Sequence, residues 1–515
     1  MPLSIIKTTR VLLLAASFLG SALAAAPRRV IFLHTNDQHG HFYGKLENGE
    51  RPRDGYALEN LITYIETIRH EAGKDADVVV TYGGDLNTGT PESAFFLAAP
   101  DIELWRLAGL NVAVIGNHEF DNPPEIFEKQ IAAAGFPWIS ANLERKIGGR
   151  LTQPSHIVTA SGIKIGVVGL TTEQTNQIGN PQYTKQYRFA DTVGTARAQA
   201  KELKPQTDFI VALTHLGLYP KGAVPFGVAD DRVLVESVPE INLVLGGHSH
   251  TLIDGQVVNG VRIFQAKCFS AHLVRADFEI EPRGKDGKAA FRFVSSQVLD
   301  LRRSPSSLAA PVAAKRAEAR QVIDGYLKKS TEKFGEIVAE AEEDFHYERE
   351  HALTAPITRL VAESQLTESG AEISIVIAGG IRGGFKKGKI TLRDVLTVLP
   401  FGNTVGIVDI PGAEITALLE KRMLHSADKG GYPIVAGLQL QVDTEAKKLT
   451  ATIGGKPLDP KRKYKVALNS YIGSGGTGYP DYISQGKFSD LSMTDAMLLT
   501  SYLKKKGKIH RNLLR

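Results

Sequence analysis

IFLHTNDQHGH, residues Ile31 to His41, is an apolar run that closes on Asp37, His39 and His41, each separated by one residue. Asp, Asn and His suit turns for backbone reasons, so a single Asp-x-His after a strand is more readily a turn or cap than a cation site. Recurrence decides between the two. From residue 29 to about 250 the chain alternates short apolar runs (RVIFLH, DVVVTY, NVAVIG, IKIGVVGL, DFIVALTH and INLVLGG) with the amphipathic stretches ALENLITYIETIRHEAG, ESAFFLAAPDIELWRLAG and DTVGTARAQAKELK. Such alternation predicts an α/β domain whose sheet faces are covered by helices. A β-rich tail follows to about residue 304.

Several of these runs end in polar groups, nearly all beside Gly. Asp37 and His39 follow the first; GGD, with Asp85, follows VVVTY; GNHEFDN, with Asn117 and His118, follows VAVI; THLG, with His215, ends IVAL; GGHSH, with His248 and His250, follows INLVL. In an open α/β sheet the carboxyl ends of the strands gather along one edge, where ligands bind. Carboxylate, amide oxygen and imidazole without thiolate suit divalent Mn, Zn, Co or Mg and disfavour iron–sulfur clusters and copper(I). The donors are too many for one tetrahedral ion. Two ions about 3.5 to 4 Å apart, sharing one carboxylate, would use them all and activate water for in-line attack on a phosphate.

DQH, GGD, GNHE, TH and GGHSH, in that order, resemble the blocks of the calcineurin-like metallophosphoesterases. The wording LHTNDQHGH, GGD, GNHEFDN and GGHSH, ahead of a second domain, resembles the exported bacterial 5′-nucleotidase and UDP-sugar hydrolase family. The resemblance covers essentially the whole mature chain and is most specific in its first half. It implies an α/β/β/α sandwich followed by a smaller mixed α/β substrate-binding domain. Carried over position by position, it implies that Asp37, His39 and His250 hold one cation, that Asn117, His215 and His248 hold a second, and that Asp85 bridges them. Carboxylate chemistry agrees at Asp85, which has two anionic oxygens to share. His118 is similar to the family's catalytic imidazole, which stabilises phosphoryl charge or aids the leaving group, with Asp121 holding its other nitrogen. His41 reads as a partly exposed turn residue and Glu119 as loop support.

A metal pair does not choose a substrate, because monoesters, diesters and pyrophosphates present the same attacked atom. Selection belongs to the second half. AGGIRGG places Arg382 in a Gly-bounded turn, where a guanidinium can fork onto a phosphate; PFGN offers Phe401 and Asn403, and NSYIGSGGTGYP offers Tyr471. These stretches look like the family's nucleotide-binding blocks, which implies base stacking by Phe401 and Tyr471, a base contact from Asn403 and a phosphate contact from Arg382. Tyr471 stands where the family often has Phe, and Thr477 where it usually has a ribose-gripping Asp. A Thr cannot accept two ribose hydroxyls as a carboxylate does. Upstream, HYEREHALTAPIT offers Arg349 as a further phosphate contact.

Length and composition fit this reading. A chain of 515 residues exceeds one core, and 43% hydrophobic with 23% charged residues is ordinary globular composition. Lys7 and Arg10 precede the apolar run Val11 to Gly20 and then SALAAAP, the pattern of a secretory signal peptide over residues 1–26. That run is shorter than a membrane span, so a soluble secreted or periplasmic protein without a membrane anchor is expected, and a monomer is favoured. The single Cys268 excludes an internal disulfide and reads as a small core residue. A net charge of +5, two units of it on Lys7 and Arg10, does not argue for nucleic acid.

The expected organisation is a metallophosphoesterase domain over 27–305, a linker helix within 306–330 and a 5′-nucleotidase-type domain over 331–515. The expected function is a dimetal phosphohydrolase, a 5′-nucleotidase acting on nucleoside monophosphates with UDP-sugars as a further class. The alternatives are a 2′,3′-cyclic-nucleotide phosphodiesterase, a thiosulfate-ester hydrolase and a nucleotide-binding protein without turnover.

Overall fold

The computed structural model describes residues 28–44, 55–160, 162–221, 223–224, 227–281, 290–347, 354–426 and 429–513. The segments expected to be the signal peptide and to supply Arg349 lie outside the described residues.

In chain order the first half contains β1 (Arg28–Thr35), β2 (Ala76–Tyr82), β3 (Val112–Val114), β4 (Trp138–Ile139), β5 (Leu143–Arg145), β6 (Ser155–Ala160) and β7 (Ile163–Thr171). It continues with β8 (Tyr187–Phe189), β9 (Phe209–His215), β10 (Leu243–Leu245), β11 (Leu252–Val258), β12 (Val261–Ala266), β13 (His272–Glu281) and β14 (Ala290–Asp300). Most fall into two 6-stranded sheets, ordered β14-β13-β1-β2-β3-β4 and β11-β12-β10-β9-β7-β6. The strands β1 to β4 run parallel in the first, and β7, β9, β10 and β12 run parallel in the second.

The apolar runs are almost continuous because both faces of each sheet are covered. Alternate residues of β1 divide between two cores. Val30 and Phe32 pack inward with Val79, Val114, Val167, Val211 and Leu245 between the sheets, while Ile31 and Leu33 pack outward with Leu61 and Ile65 of the helix Ala57–Ala72. On the far side Leu170 and Ala212 meet Ala196 and Ala200 of the helix Thr192–Leu203. The layers are therefore α/β/β/α.

One local outcome differs from the sequence pattern. The stretch from Glu92 to Gly109 is not one helix but two, Pro91–Phe95 and Ala99–Leu107, with Leu97 and Ala98 at φ 52° and 58° between them. Pro100 has no N–H for a continuing helix and its ring would strike the carbonyl a turn before, which breaks the run. Cys268 is buried as expected, in the turn between β12 and β13.

The helix Ala310–Phe334 leads from the sandwich into the second half. There a 5-stranded sheet places Ile373–Ile377 beside Lys463–Asn469, which in turn pairs with Thr404–Pro411. Glu92, fully buried, joins the parts: it accepts from Tyr43 Oη at 2.8 Å, from Ser330 Oγ of the connecting helix at 2.6 Å, and from the Arg393 guanidinium of the second half.

Candidate metal centre

The carboxyl ends of β1, β2 and β3 in one sheet and of β9 and β10 in the other open onto a common rim. The sequence pattern suggested the edge of one sheet; stacking two parallel-containing sheets brings two such edges together. His34 ties them, with Nε2 2.8 Å from Gly246 O across the sheets and Nδ1 3.0 Å from Thr81 Oγ1. Burial depresses its imidazole to about 4, so it stays neutral.

The structure brings the seven residues expected as ligands into one cluster. Asp37, His39, Asp85, Asn117 and His215 are buried, and His248 and His250 are half-buried. His215 Nε2 lies 3.0 Å from Asp85 Oδ2 and 3.2 Å from Asn117 Oδ1. His39 Nε2 lies 3.7 Å from Asp85 Oδ2, 3.9 Å from Asp37 Oδ1 and 3.1 Å from His250 Nε2, which is itself 3.3 Å from Asp37 Oδ1. Among the described residues, two groupings able to hold an ion are Asp37, His39, His250 and Asp85, His215, His248, with ligand atoms within 4.8 Å of one another.

The backbone is bent to achieve this. Asp37, His39, Asp85, His248 and His250 have φ of 52°, 49°, 59°, 79° and 55°, the left-handed region that non-glycine residues rarely enter. Gly116 lets the loops close: a Cβ there would stand 2.2 Å from Asp85 Oδ1. Glu119 supplies the frame. Its buried carboxylate accepts the backbone amides of Asp85 at 3.0 Å, Leu86 at 2.8 Å, Asn87 at 3.2 Å and Gly116 at 2.7 Å, which is the loop support expected of it.

The donor set fits divalent cations. His39 Nδ1 donates to Thr88 O at 3.0 Å and His215 Nδ1 to Gly83 O at 2.7 Å, which turns both Nε2 atoms toward carboxylate oxygens. Nitrogens so close to carboxylate oxygens need positive charge between them, which a proton or a divalent cation supplies. Asp37 Oδ1, buried among them, has no hydrogen-bond partner. Burial works against charge here, yet His250 holds the Asp37 carboxyl below its usual range, and His215 and His118 hold Asp85 well below. Burial and the neighbouring His118 keep His39 far below the ordinary imidazole value, and burial with His215 brings His248 to about 3. Against burial, Asp85 lifts His215 to about 10.

His118 faces the cluster from the side, its ring 4.8 Å from that of His39. A further grouping of His39, Asp85 and His118 is close enough for an ion, but His118 Nδ1 is taken by Asp121 Oδ2 at 2.6 Å. Burial alone would lower its pKa; Asp121 and Asp85 outweigh that and raise it.

The second half reaches this rim. The Phe401 ring stacks toward His118 with centroids 6.1 Å apart, and Arg382 Cζ lies 5.6 Å from the Phe401 centroid. Tyr471 Oη donates to Ile178 O of the first half at 2.9 Å. Asn403 is half-buried, and its carbonyl accepts the Asp495 amide at 3.0 Å. Thr477 is buried at φ 50°, its hydroxyl on Gly476 O at 2.8 Å. His41 is the half-exposed turn residue expected, with Nδ1 2.9 Å from His39 O.

Sequence reasoning missed two neighbours of the cluster. Phe269 packs its ring against His39, His41 and His250 at 5.6, 4.5 and 5.5 Å, and nothing in its local sequence marks it. Gln174 Oε1 lies 3.1 Å from His248 Nε2. It follows the end of β7, so the strand-end rule applied to IKIGVVGL would have pointed to it.

The calcineurin-like phosphoesterase family matches residues 31–252, and the 5′-nucleotidase C-terminal domain family matches residues 336–483. Protein UshA of Salmonella pullorum is 31% identical over 516 residues, covering 93% of this chain and 92% of its own. A 5′-nucleotidase of Vibrio cholerae is 30% identical over 545 residues, covering 99% and 97%. The crystal structure of a 5′-nucleotidase precursor from Thermus thermophilus superposes with a TM-score of 0.76 at 24% identity, covering 94% of this chain and 97% of that one.

Proposed function

The chain belongs to the 5′-nucleotidase family of calcineurin-like phosphoesterases, and on that premise we propose that it is a dimetal phosphohydrolase that releases phosphate from nucleoside monophosphates, with UDP-sugars as a second substrate class. The observation that carries this reading is the convergence of Asn117 Oδ1 and Asp85 Oδ2 on His215 Nε2, each within 3.2 Å of it, beside Asp37, His39 and His250. Asp37, His39 and His250 would hold one cation, Asn117, His215 and His248 the other, and Asp85 both. Such a pair, of Mn, Zn, Co or Mg, supplies an activated water and neutralises charge on the phosphoryl oxygens.

The remaining work falls to the chain itself. Asp121 fixes the Nδ1 proton of His118 and keeps the ring protonated above its ordinary value, so Nε2–H can donate to a phosphoryl oxygen or the departing sugar oxygen. Arg382 offers charge to the phosphate, and Phe401 and Tyr471 offer faces to a base, worth roughly 1 to 3 kcal/mol per stacked base. Residues 1–26 would direct export to the periplasm or beyond, and residues 27–305 and 331–515 would be the two domains joined by a helix within 306–330.

Phosphate release from AMP, UMP, UDP-glucose and 2′,3′-cyclic AMP with Mn or Co tests the reading. AMP turnover above the others supports it. Preference for the cyclic substrate transfers the same centre to phosphodiester chemistry, and tight nucleotide binding without phosphate release overturns hydrolysis altogether.

A further inference from the structure

Three imidazoles of the cluster, His39, His215 and His248, have one ring nitrogen held, but not by the same kind of group. His39 and His215 are held at Nδ1 by the backbone carbonyls of Thr88 and Gly83. His248 is held at the opposite nitrogen, Nε2, by a side chain, the Oε1 of Gln174 at 3.1 Å. His248 forms a candidate ion site with Asp85 and His215, and with Nε2 taken by Gln174 its Nδ1 is the ring atom left to serve a cation there.

Gln174 is built in firmly. It is 3% exposed, its amide donates to Thr172 Oγ1 at 3.2 Å, and its carbonyl accepts Gln177 N and Ile178 N at 2.7 and 2.9 Å. Its own side-chain Nε2 is buried and has no hydrogen-bond partner among the described residues. A buried amide that leaves its donor unpaired is destabilising, so side-chain satisfaction does not explain a Gln here. Orientation of His248 does. An imidazole that offers its Nδ1 lone pair to a cation must carry its proton on Nε2, and only an acceptor can hold that proton in place.

We propose that Gln174 is a positioning residue for the second cation: its Oε1 fixes His248 in the Nε2–H tautomer and aims Nδ1 at the site shared with Asp85 and His215. This rests on the dimetal reading above. The same segment meets the second half, since Ile178 O accepts Tyr471 Oη, so Gln174 lies between a metal ligand and a substrate-side aromatic.

The test is manganese binding to the full-length protein, by stoichiometry after dialysis and by titration, for the parent, Gln174→Met and Gln174→Glu. Met keeps the length and removes the acceptor; Glu keeps an acceptor. The expected result is two ions per parent chain, a 10- to 100-fold weaker second ion in Gln174→Met, and recovery to within a few-fold of the parent in Gln174→Glu. Unchanged binding in Gln174→Met overturns the proposal, and so does equal weakening in both variants, which would make the side chain's role one of shape. If Gln174→Met does not fold, Gln174→Glu decides alone: parental binding supports the proposal, and a lost second ion sinks it. A parent that binds fewer than two ions refutes the dimetal reading instead.

Discussion

His215 Nε2 lies 3.0 Å from Asp85 Oδ2, one from each sheet, and this contact is where the two halves of the candidate centre meet. His39 reaches the same oxygen at 3.7 Å from the first sheet. One carboxylate thus lies between both groups of imidazoles.

Replacing that carboxylate removes the proposed shared ligand and the acceptor of the His118 amide, 2.9 Å from Asp85 Oδ1, while Glu119 still holds the backbone of the Asp85 loop. Asp85→Ala is expected to bind fewer than two ions and to release phosphate at least about 10³-fold more slowly, with an unchanged circular dichroism spectrum. Near-parental turnover would remove Asp85 from the mechanism.

His118 is expected to behave differently from the residues proposed as ligands. With Nδ1 committed to Asp121, His118→Ala should keep both ions and lower kcat by about 10²- to 10⁴-fold, the usual contribution of a positioned acid or base. Loss of an ion in this variant would reassign the residue as a ligand.

Glu119→Ala strands four buried backbone amides at once. Buried donors left unmade cost about 1 to 3 kcal/mol each before relaxation, so the variant should lose at least about 3 kcal/mol in urea unfolding and weaken metal binding as well. A midpoint unchanged from the parent would show that water replaces the carboxylate freely.

Stability should also fall with rising pH through Asp101. This buried carboxyl accepts from Gln38 Nε2, whose Oε1 accepts from Trp105 Nε1 at 2.8 Å, and so braces the residue between Asp37 and His39. Burial pushes it to about 8, against 3.8 for the unperturbed group. The folded protein therefore holds a proton that the unfolded chain has released; the stabilisation is complete below about pH 4 and is lost as pH rises toward 8, on the order of 5 kcal/mol across the window. Asp101→Asn keeps the acceptor and cannot ionise. Its melting temperature should match the parent near pH 4 and exceed it increasingly up to pH 9; parallel curves would disprove the assignment.

The legible parts of the sequence were those fixed by local rules. Apolar runs followed by Asp, Asn, His and Gly mark strand ends, which is why Asp37, Asp85, Asn117, His215 and His248 stood out. Which sheet each strand joins is a matter of long-range pairing, so the reading of one edge gave way to two. Glu119 could be read because it sits inside GNHEFDN, beside what it supports. Phe269 could not, since its role depends on a turn between β12 and β13 that folds over imidazoles from distant segments. Gln174 was within reach but lay after a strand whose end carries neither Asp nor His.

The left-handed backbone at Asp37, His39, Asp85, His248 and His250 bears on how the molecule matures. Local chain preference opposes that geometry by about 1 kcal/mol or more per residue, so no short segment adopts it unaided and only the finished sandwich imposes it. The mould is therefore cast by the whole sandwich, and a segment cut from it would lose the shape on which the candidate site depends.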